Sequence, residues 1–286
     1  ARVRRNGAVR AGGAVLALLV LVAIAAPWLG TVDPSLFDPA SRDLRPGMSG
    51  EITTLDGDTL QHVFWMGSDS FGRDVYSRVI YGTRVSLVVG LSTAVIALAF
   101  GIVFGLLAGY LRWVDGPLMR VMDGVMSIPA ILIAIALVAM WGGTLATVVF
   151  AIAIPEIPRV TRLVRSLVLT IREEPYVEAA VSLGTPTPLI MARHILPNTI
   201  APLIVQGTFI CASGILVEAI LSFLGVGLPP DIPTWGNVMA EGRAQFSEYP
   251  HNIFFPGLFL ATTVLAVNIL GDGLRDTLDP KMAKRG

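Results

Sequence analysis

Six long apolar stretches constrain this chain more than any other feature of its sequence. They occupy residues 11–29, 85–111, 118–141, 145–163, 200–224 and 253–271. A helix needs roughly 20 apolar residues to cross the hydrocarbon core of a bilayer. Because lipid offers no partners to backbone N–H and C=O groups, such segments must be helical. The pattern predicts an all-α fold, a polytopic transmembrane helical bundle with about six spans.

Three of these stretches leave alternatives open. Asp123 and Pro129 interrupt the third, and Pro155 and Glu156 interrupt the fourth. Neighbouring helices can satisfy the backbone groups that such breaks free. The first stretch follows four arginines and contains a small-residue Ala-Ile-Ala segment at 23–25, which also suits a cleaved signal peptide and would leave five spans. Trp28 favours a retained anchor, since tryptophan is enriched at membrane interfaces.

Composition excludes two broad classes of protein. Apolar residues make up 53% of the chain and charged residues only 15%, with a mean hydropathy of +0.69. Soluble domains carry about 25% charged residues, so a soluble globular fold is excluded. The formal net charge of zero gives no basic field for nucleic acid. The single cysteine, Cys211, lies in an apolar run and allows no intrachain disulfide.

The basic residues predict the orientation of the chain in the membrane. With a cytoplasmic N-terminus, 15 of the 21 lysines and arginines fall on the cytoplasmic side, so both termini are expected there. The expected organisation is a cytoplasmic segment 1–10, an anchor 11–29, an outer loop 30–84, a five-span core 85–271 and a cytoplasmic tail 272–286.

The outer loop carries two local signals. Asp56-Gly57 predicts a hairpin turn, because Asp-Gly suits the tight turns between antiparallel strands. Residues 74–84 place Val75, Val79 and Ile80 on one helical face, with polar side chains opposite. That spacing predicts a separate helix lying along the membrane interface before the second span.

The inner loop, residues 165–198, predicts two short helices. Pro175 suits the first position of a helix over 176–183, which Gly184 would end in the left-handed conformation that glycine adopts easily. A second short helix is expected over 189–195, with Pro197 preceding the fifth span. A rigid protrusion of this kind can transmit motion between a membrane domain and a protein docked on it.

The same loop carries a family resemblance. Glu178-Ala179-Ala180, then Gly184, then Ile195-Leu196-Pro197 resembles the EAA loop of ATP-binding-cassette (ABC) importer permeases. In that family the loop is the coupling helix that enters a groove on the ATPase subunit. The generic pattern places its isoleucine one residue earlier, at His194, and the order seen here is similar to peptide-importer permeases. An ordinary amphipathic connector is the alternative interpretation.

Three further stretches resemble the C-type permease subunit of dipeptide and oligopeptide importers. They are the block at 67–78 (with Ser68 in place of the usual threonine), the segment 218–237 and the segment 271–280. The resemblance covers about 66–280. It implies a permease in a prokaryotic inner membrane, with a homologous second permease, two cytoplasmic ATPase domains and an extracytoplasmic solute-binding protein as partners. Peptides, nickel chelates and haem-like solutes all remain open as substrates.

Catalytic and metal-binding patterns are missing from the sequence. The chain has no P-loop, and its lysines, Lys281 and Lys284, follow Pro280 and Ala283. The three histidines are far apart, and no Gly-x-Ser-x-Gly elbow occurs. We therefore expect no enzyme activity, metal site or cofactor on this chain, with ATP and Mg²⁺ held by partner ATPase subunits.

Intramembrane acids are functional candidates because a charge in lipid is costly. Glu156 is expected to form an ion pair with Arg159 or Arg162 near the inner interface. Glu218 could line the pathway, form an outer gate, or pack against a partner helix. A secondary transporter or channel using these two acids as an ion relay is the alternative function.

Small residues recur along the second span at four-residue spacing with one three-residue step. Such a stripe lets another helix pack closely, although the sequence does not say which one. Its members are Ser86, Gly90, Ala94, Ala97, Gly101, Gly105 and Gly109.

Overall fold

The computed structural model describes residues 6–54 and 57–278, which form eleven α-helices and one β-hairpin. The predicted charges Arg2, Arg4, Arg5, Lys281 and Lys284, and the turn residues Leu55 and Asp56, lie outside this part of the chain. The elements are α1 Gly7–Ala25, β1 Met48–Thr53, β2 Thr59–Phe64, α2 Val75–Tyr110, α3 Arg112–Met126, α4 Ala130–Trp141, α5 Leu145–Ala153, α6 Ile157–Ile171, α7 Pro175–Ser182, α8 Thr187–Ile190, α9 Leu196–Phe223, α10 Trp235–Gly242 and α11 His251–Leu278.

The all-α polytopic fold class is confirmed, but the predicted count of six spans is not. Within the described residues, four helical segments are long and apolar enough to cross a membrane: Gly7–Trp28, Val75–Tyr110, Thr187–Phe223 and His251–Leu278. A fifth span results only if α3 and α4 are counted together. The predicted third and fourth spans account for the difference, because both are interrupted.

The predicted third span bends sharply at its proline. α3 and α4 meet at 86° across a short break that ends in Pro129. Proline disfavours helical conformation in the residue before it, here Ile128. α3 is amphipathic rather than uniformly apolar, with Met122 buried and Trp113 78% exposed. Only α4, with 12 residues, has the composition of a span, and it is too short to cross alone.

The predicted fourth span is divided between α5 and α6. A 3₁₀ turn, Ile154–Glu156, joins the two helices at Pro155. The N-terminal half is apolar, whereas α6 begins among Glu156, Arg159 and Arg162. These three charges are too many for a single lipid-exposed segment.

The predicted interfacial helix over 74–84 is not a separate element. α2 runs without a break from Val75 to Tyr110, and Asp74 caps its N-terminus by accepting a hydrogen bond from the Ser77 amide. The predicted polar face is also wrong, because Ser77 and Arg78 are fully buried. Arg78 is buried because carbonyl oxygens and Glu241 surround its guanidinium. With 36 residues, α2 is about 54 Å long and extends beyond the bilayer core.

The two ends of α2 define two ends of the bundle. One end carries segment 30–74, which includes the β-hairpin, together with α10; we call it the hairpin end. There, β1 and β2 pair antiparallel from Met48–Phe64 to Thr53–Thr59, as the Asp-Gly signal predicts. The opposite end, where α6 leads into α7, is the loop end. Arg172 donates a hydrogen bond to the Gly109 carbonyl there, next to the last residue of α2.

The stripe of small residues meets two different helices. A Cβ at Gly90 would lie 2.8 Å from the Cys211 carbonyl oxygen of α9. Towards the loop end, Gly105 and Gly109 approach α6, and an added Cβ would lie 2.5 Å and 2.6 Å from side-chain atoms of Val164 and Val168. Gly101 likewise faces Val160 of α6. The stripe therefore fixes α2 against α9 and α6, which carry the loop between them.

The first helix packs on the last. A Cβ at Gly12 would lie 2.7 Å from the Ala266 carbonyl oxygen, and one at Gly273 would lie 2.8 Å from the Val9 amide. Such close approaches need glycine. The contact makes α1 an integral part of the bundle, which favours the retained anchor over the signal-peptide alternative.

Candidate functional site

The candidate site is the protrusion at the loop end, built on α7. Pro175 occupies its first turn, where a missing N–H costs nothing, and Glu174 precedes it in extended conformation. Gly184 follows the C-cap with φ +76°, which confirms the predicted left-handed conformation. The Thr185 amide donates to the Ala180 carbonyl and the Gly184 amide to the Val181 carbonyl. This pair of bonds is a Schellman motif, so the end of α7 is sharply defined.

The predicted second short helix is wrong in its boundaries. α8 continues through a π-helical turn, Met191–Ile195, into α9, so that Thr187–Phe223 forms one continuous helical segment. Pro197 lies in the first turn of α9 rather than at a break. A π-turn is a common way to accommodate an irregularity inside a helix. The protrusion is therefore a single short helix, α7, braced against the first turns of a long one.

One face of α7 joins the hydrophobic core of the loop end. Val177 is 1% exposed and belongs to the same cluster as Val168 of α6 and Ile195, and Ala180 on the same helix is 8% exposed. Asn198 adds a polar contact, because its amide nitrogen donates to the Tyr176 hydroxyl at 3.1 Å. The attachment fixes α7 to both α6 and α9, so movement of the protrusion must move these helices.

The opposite face of α7 is open. Glu178 and Ala179 are exposed, and so are the large apolar side chains of Tyr176 (45%), Val181 (52%) and Leu183 (86%). Nothing lies within 4 Å of a Cβ added at Gly184. Exposed apolar groups of this size in a rigid protrusion are typical of a protein-interaction surface.

The structure thus divides the predicted coupling residues into two groups. Ala180 and Ile195 are buried and hold the helix in place, and Leu196 is half-buried. The exposed members available to a partner are Glu178, Ala179, Gly184 and Pro197. Leu183, the C-cap of α7, is not part of the motif, and no sequence signal identifies it, because its exposure depends on which face of α7 packs against the bundle.

The two predicted intramembrane acids are enclosed within the chain. Glu156 is 5% exposed and pairs with Arg159 at 2.9 Å, as expected, while Arg162 pairs instead with Asp123 of α3 at 2.5 Å. Glu218 is fully buried and accepts a hydrogen bond from Ser222 at 2.8 Å. Both carboxyls are therefore buried within the described part of the chain.

Other chemistry is sparse in the described residues. They contain no group of three or more His, Cys, Asp or Glu side chains placed to hold a metal ion. Cys211 is a free thiol, half-buried in α9. The loop end is therefore defined by an exposed surface and not by a reactive centre.

These features define a class: a polytopic α-helical membrane protein with a rigid, exposed apolar helix at one end. A sequence model described as "Binding-protein-dependent transport system inner membrane component" matches residues 101–284. A second, described as "N-terminal TM domain of oligopeptide transport permease C", matches residues 1–46. The chain belongs to the family of inner-membrane components of binding-protein-dependent transport systems, the permease subunits of ABC importers.

Curated relatives cover almost the whole chain. A probable peptide ABC transporter permease of Sinorhizobium fredii is 51% identical over 282 residues, which are 99% of this chain and 92% of the relative. A dipeptide transport system permease of Alkalihalophilus pseudofirmus is 39% identical over 98% of this chain and 88% of the relative. A glutathione transport system permease of Escherichia coli is 41% identical over 98% of this chain and 89% of the relative. The family resemblance and the inner-membrane, multi-pass character expected from the sequence are confirmed.

Proposed function

We propose that this chain forms half of the translocation pathway of an ATP-driven importer for di- or oligopeptides. The other half is a homologous permease, and an extracytoplasmic binding protein delivers the solute at the hairpin end. Two ATPase domains bind the loop end, which faces the cytoplasm. The names of the relatives support peptides as the solute class, because two of the relatives compared above are named as a peptide permease and a dipeptide permease.

The exposed apolar face of α7 is the observation that carries this proposal. Leu183 is 86% exposed, more than any other large apolar side chain among the described residues. Exposing such a side chain to water forgoes about 1.5–3 kcal/mol of burial energy, so a partner that covers it gains affinity. Because α7 is anchored on α6 and α9, closure of the ATPases would move these helices and change access to the pathway.

The direct test is a charge at the centre of this surface. Leu183→Asp should leave the permease in the membrane but abolish co-purification of the ATPase subunits and solute uptake. Leu60→Asp is the matched control, because Leu60 is also exposed (54%) but lies in β2 at the hairpin end. Full ATPase attachment in the Leu183 variant, or equal loss of ATPase attachment in both variants, would contradict the docking role of α7.

Orientation is tested separately by thiol labelling. In a Cys211→Ala background, Asp58→Cys at the hairpin end and Ser182→Cys on α7 should react with an impermeant reagent from opposite sides of the membrane. The charge distribution predicts that Asp58→Cys reacts in intact cells and Ser182→Cys only after the cells are opened. Reaction of both in intact cells would reverse the orientation.

ATP and Mg²⁺ are expected on the partner subunits alone. The purified permease should neither bind nor hydrolyse ATP, because no P-loop occurs in its sequence. The assembled complex should do both. The alternative, a secondary transporter or channel, is weakened by the ion pair of Glu156 with Arg159 and by the complete burial of Glu218. ATP hydrolysis by the permease alone would refute the proposal that only the partner subunits hydrolyse ATP.

A further inference from the structure

A cavity of about 560 Å³ opens on the side of the bundle, in the half nearer the loop end. Three helices form it: Leu163 comes from α6, Arg275 and Leu278 from α11, and the remaining wall is one face of α9. Along α9 the lining runs from Asn198 to Phe209, which is about 16 Å of helix. The cavity therefore reaches from the loop end towards the middle of the candidate span Thr187–Phe223.

The polar lining of this cavity is unusual for a lipid-facing surface. Gln206 lies near the middle of a candidate membrane span, yet its side chain points into the cavity and is only half-buried. A carboxamide left in hydrocarbon without partners costs several kcal/mol. Polar side chains inside the membrane usually face a bundle interior or a water-filled space. Gln206 is therefore better explained by a wet cavity than by contact with acyl chains.

The charges at the cavity match one kind of solute. Arg275 lies near the end of α11, at the mouth of the cavity, and Asn198 lies on the facing wall. Among the described residues, the lining contains one charged side chain, Arg275, and no acidic one. A guanidinium binds a carboxylate strongly, and carboxamides both donate to and accept from peptide groups. A short peptide with a free C-terminal carboxylate combines both features.

We propose that this cavity is the loop-end half of the translocation pathway on this subunit, and that Gln206 contacts the amide groups of the passing solute. The inference rests on the proposed importer function and deepens it by placing the solute along α9. Arg275, at the mouth of the cavity, would attract the carboxylate of the solute. The acids that the sequence suggests for this role, Glu156 and Glu218, are instead enclosed in the chain.

The first test is accessibility to water. Methanethiosulfonate reagents react with the thiolate, which forms in water and not in lipid. In a Cys211→Ala background and in the whole importer complex, Gln206→Cys should react with a charged, membrane-impermeant methanethiosulfonate at least about tenfold faster than Ile204→Cys. Ile204 is the matched control, because it is 44% exposed two residues away but does not line the cavity.

Equal or absent reaction at both positions would overturn the proposal. If a lipid-soluble maleimide labels both cysteines while the charged reagent labels neither, the groove faces lipid. If neither reagent reaches residue 206 in the complex, the second permease fills the cavity. Both results leave ATPase attachment and uptake by the parent complex intact, so they are distinguishable from failure of the proposed function.

The second test concerns the solute itself. Gln206→Leu should reduce dipeptide uptake several-fold and alter the ranking of peptides, with ATPase co-purification unchanged. Ile204→Leu should change neither. A dipeptide supplied at saturating concentration should slow modification of Gln206→Cys during turnover. Unaltered uptake and ranking in Gln206→Leu would refute the solute contact.

Discussion

The hairpin end and the loop end both depend on glycine-containing turns, yet the hairpin end buries a cluster of four charged side chains whereas α7 at the loop end leaves Glu178 exposed. At the hairpin end, Asp69 pairs with Arg73 at 2.7 Å, and Glu241 pairs with both Arg73 and Arg78. None of the four side chains is more than 12% exposed. The cluster joins the segment before α2, α2 itself and α10.

The two carboxylates and two guanidinium groups of the buried cluster balance each other's charge within the chain. Burial raises the pKa of the Glu241 carboxyl above its usual value, while the positive charges of Arg78 and Arg73 act in the opposite direction. Arg78 also donates to the Pro230 carbonyl at 3.0 Å. A buried charge is tolerated when it is paired and hydrogen-bonded in this way.

The loop end has no equivalent enclosure of its helix. Glu178 and Ala179 face outward beside Leu183, and the left-handed Gly184 has open space around it. The comparison indicates that the four buried charges of the hairpin end are paired with one another, while α7 presents an exposed apolar surface. Matched substitutions should therefore destabilise the fold more at the hairpin end than at the loop end.

The largest difference is expected at two glycines with the same backbone conformation. Gly72 and Gly184 have φ +82° and +76°. A Cβ at residue 72 would overlap the Asp38 carbonyl, whereas nothing lies near one at residue 184. Gly72→Ala should destabilise the fold by about 5 kcal/mol or more and remove the permease from the membrane. Gly184→Ala should cost only the backbone strain of about 1–2 kcal/mol.

The measurement is the abundance of each variant in the membrane, together with the thermal stability of the purified complex. A protease-sensitive or absent Gly72 variant beside a normal Gly184 variant would support the comparison. Similar abundance of the two variants would show that the packing around Gly72 adapts, and the hairpin end would then be less rigid than described.

A second difference is expected for two glutamates. Glu241→Ala leaves Arg73 and Arg78 without their shared carboxylate, and breaking a buried ion pair costs about 3–5 kcal/mol. Glu178→Ala removes an exposed carboxyl, and its effect on stability should be within about 0.5 kcal/mol. Denaturation of the two purified variants measures both values. Equal free energies of unfolding would mean that the buried cluster makes no net contribution to the stability of the fold.

The sequence predicts the loop end better than the hairpin end, for a physical reason. The α7 helix and its Gly184 turn depend on residues within ten positions of one another, so local propensity suffices. Arg78 and Glu241 are 163 residues apart in sequence, and nothing local indicates that they meet. The sequence therefore predicts Arg78 on the polar face of an interfacial helix.

Hydrophobicity alone also overestimates the number of spans. The third and fourth stretches satisfy the length criterion, but Pro129 bends one and the charges around Glu156 interrupt the other. Proline effects of this kind are visible in the sequence, whereas the 86° bend depends on tertiary packing. In the same way, the glycine stripe predicts close packing but not that α6 and α9 are the partners.

A third, intermediate effect is expected from a bulkier residue at the α7 turn. Gly184→Val adds a branched Cβ to a left-handed residue, which costs about 1–2 kcal/mol or rearranges the Schellman turn. The permease should stay in the membrane, because its apolar segments are unchanged, but α7 would point in a different direction. We expect weaker ATPase co-purification and ATP hydrolysis that no longer drives uptake. Normal coupling in this variant would show that the turn does not set the docking geometry.

The smallest effect is expected at a single carboxylate of the hairpin end. Asp38 accepts hydrogen bonds from the Ala40 amide and the Thr53 hydroxyl, both at 2.9 Å, and these bonds hold the pKa of its carboxyl below the usual value. A carboxyl with a lowered folded-state pKa stabilises the fold above its unfolded-state pKa of about 3.9, and the contribution is lost as the pH falls through the folded value.

Hydrogen exchange can detect this loss locally. Protection of the Ala40 amide should be constant down to about pH 4 and fall below that pH in the native chain, and less so in Asp38→Asn, because asparagine caps an amide without titrating. The Thr185 amide at the loop end is the internal control, since its acceptor is the Ala180 carbonyl and cannot be protonated in this range. If protection at Ala40 and Thr185 declined in parallel, the change would be global, and the carboxylate of Asp38 would not be the group responsible.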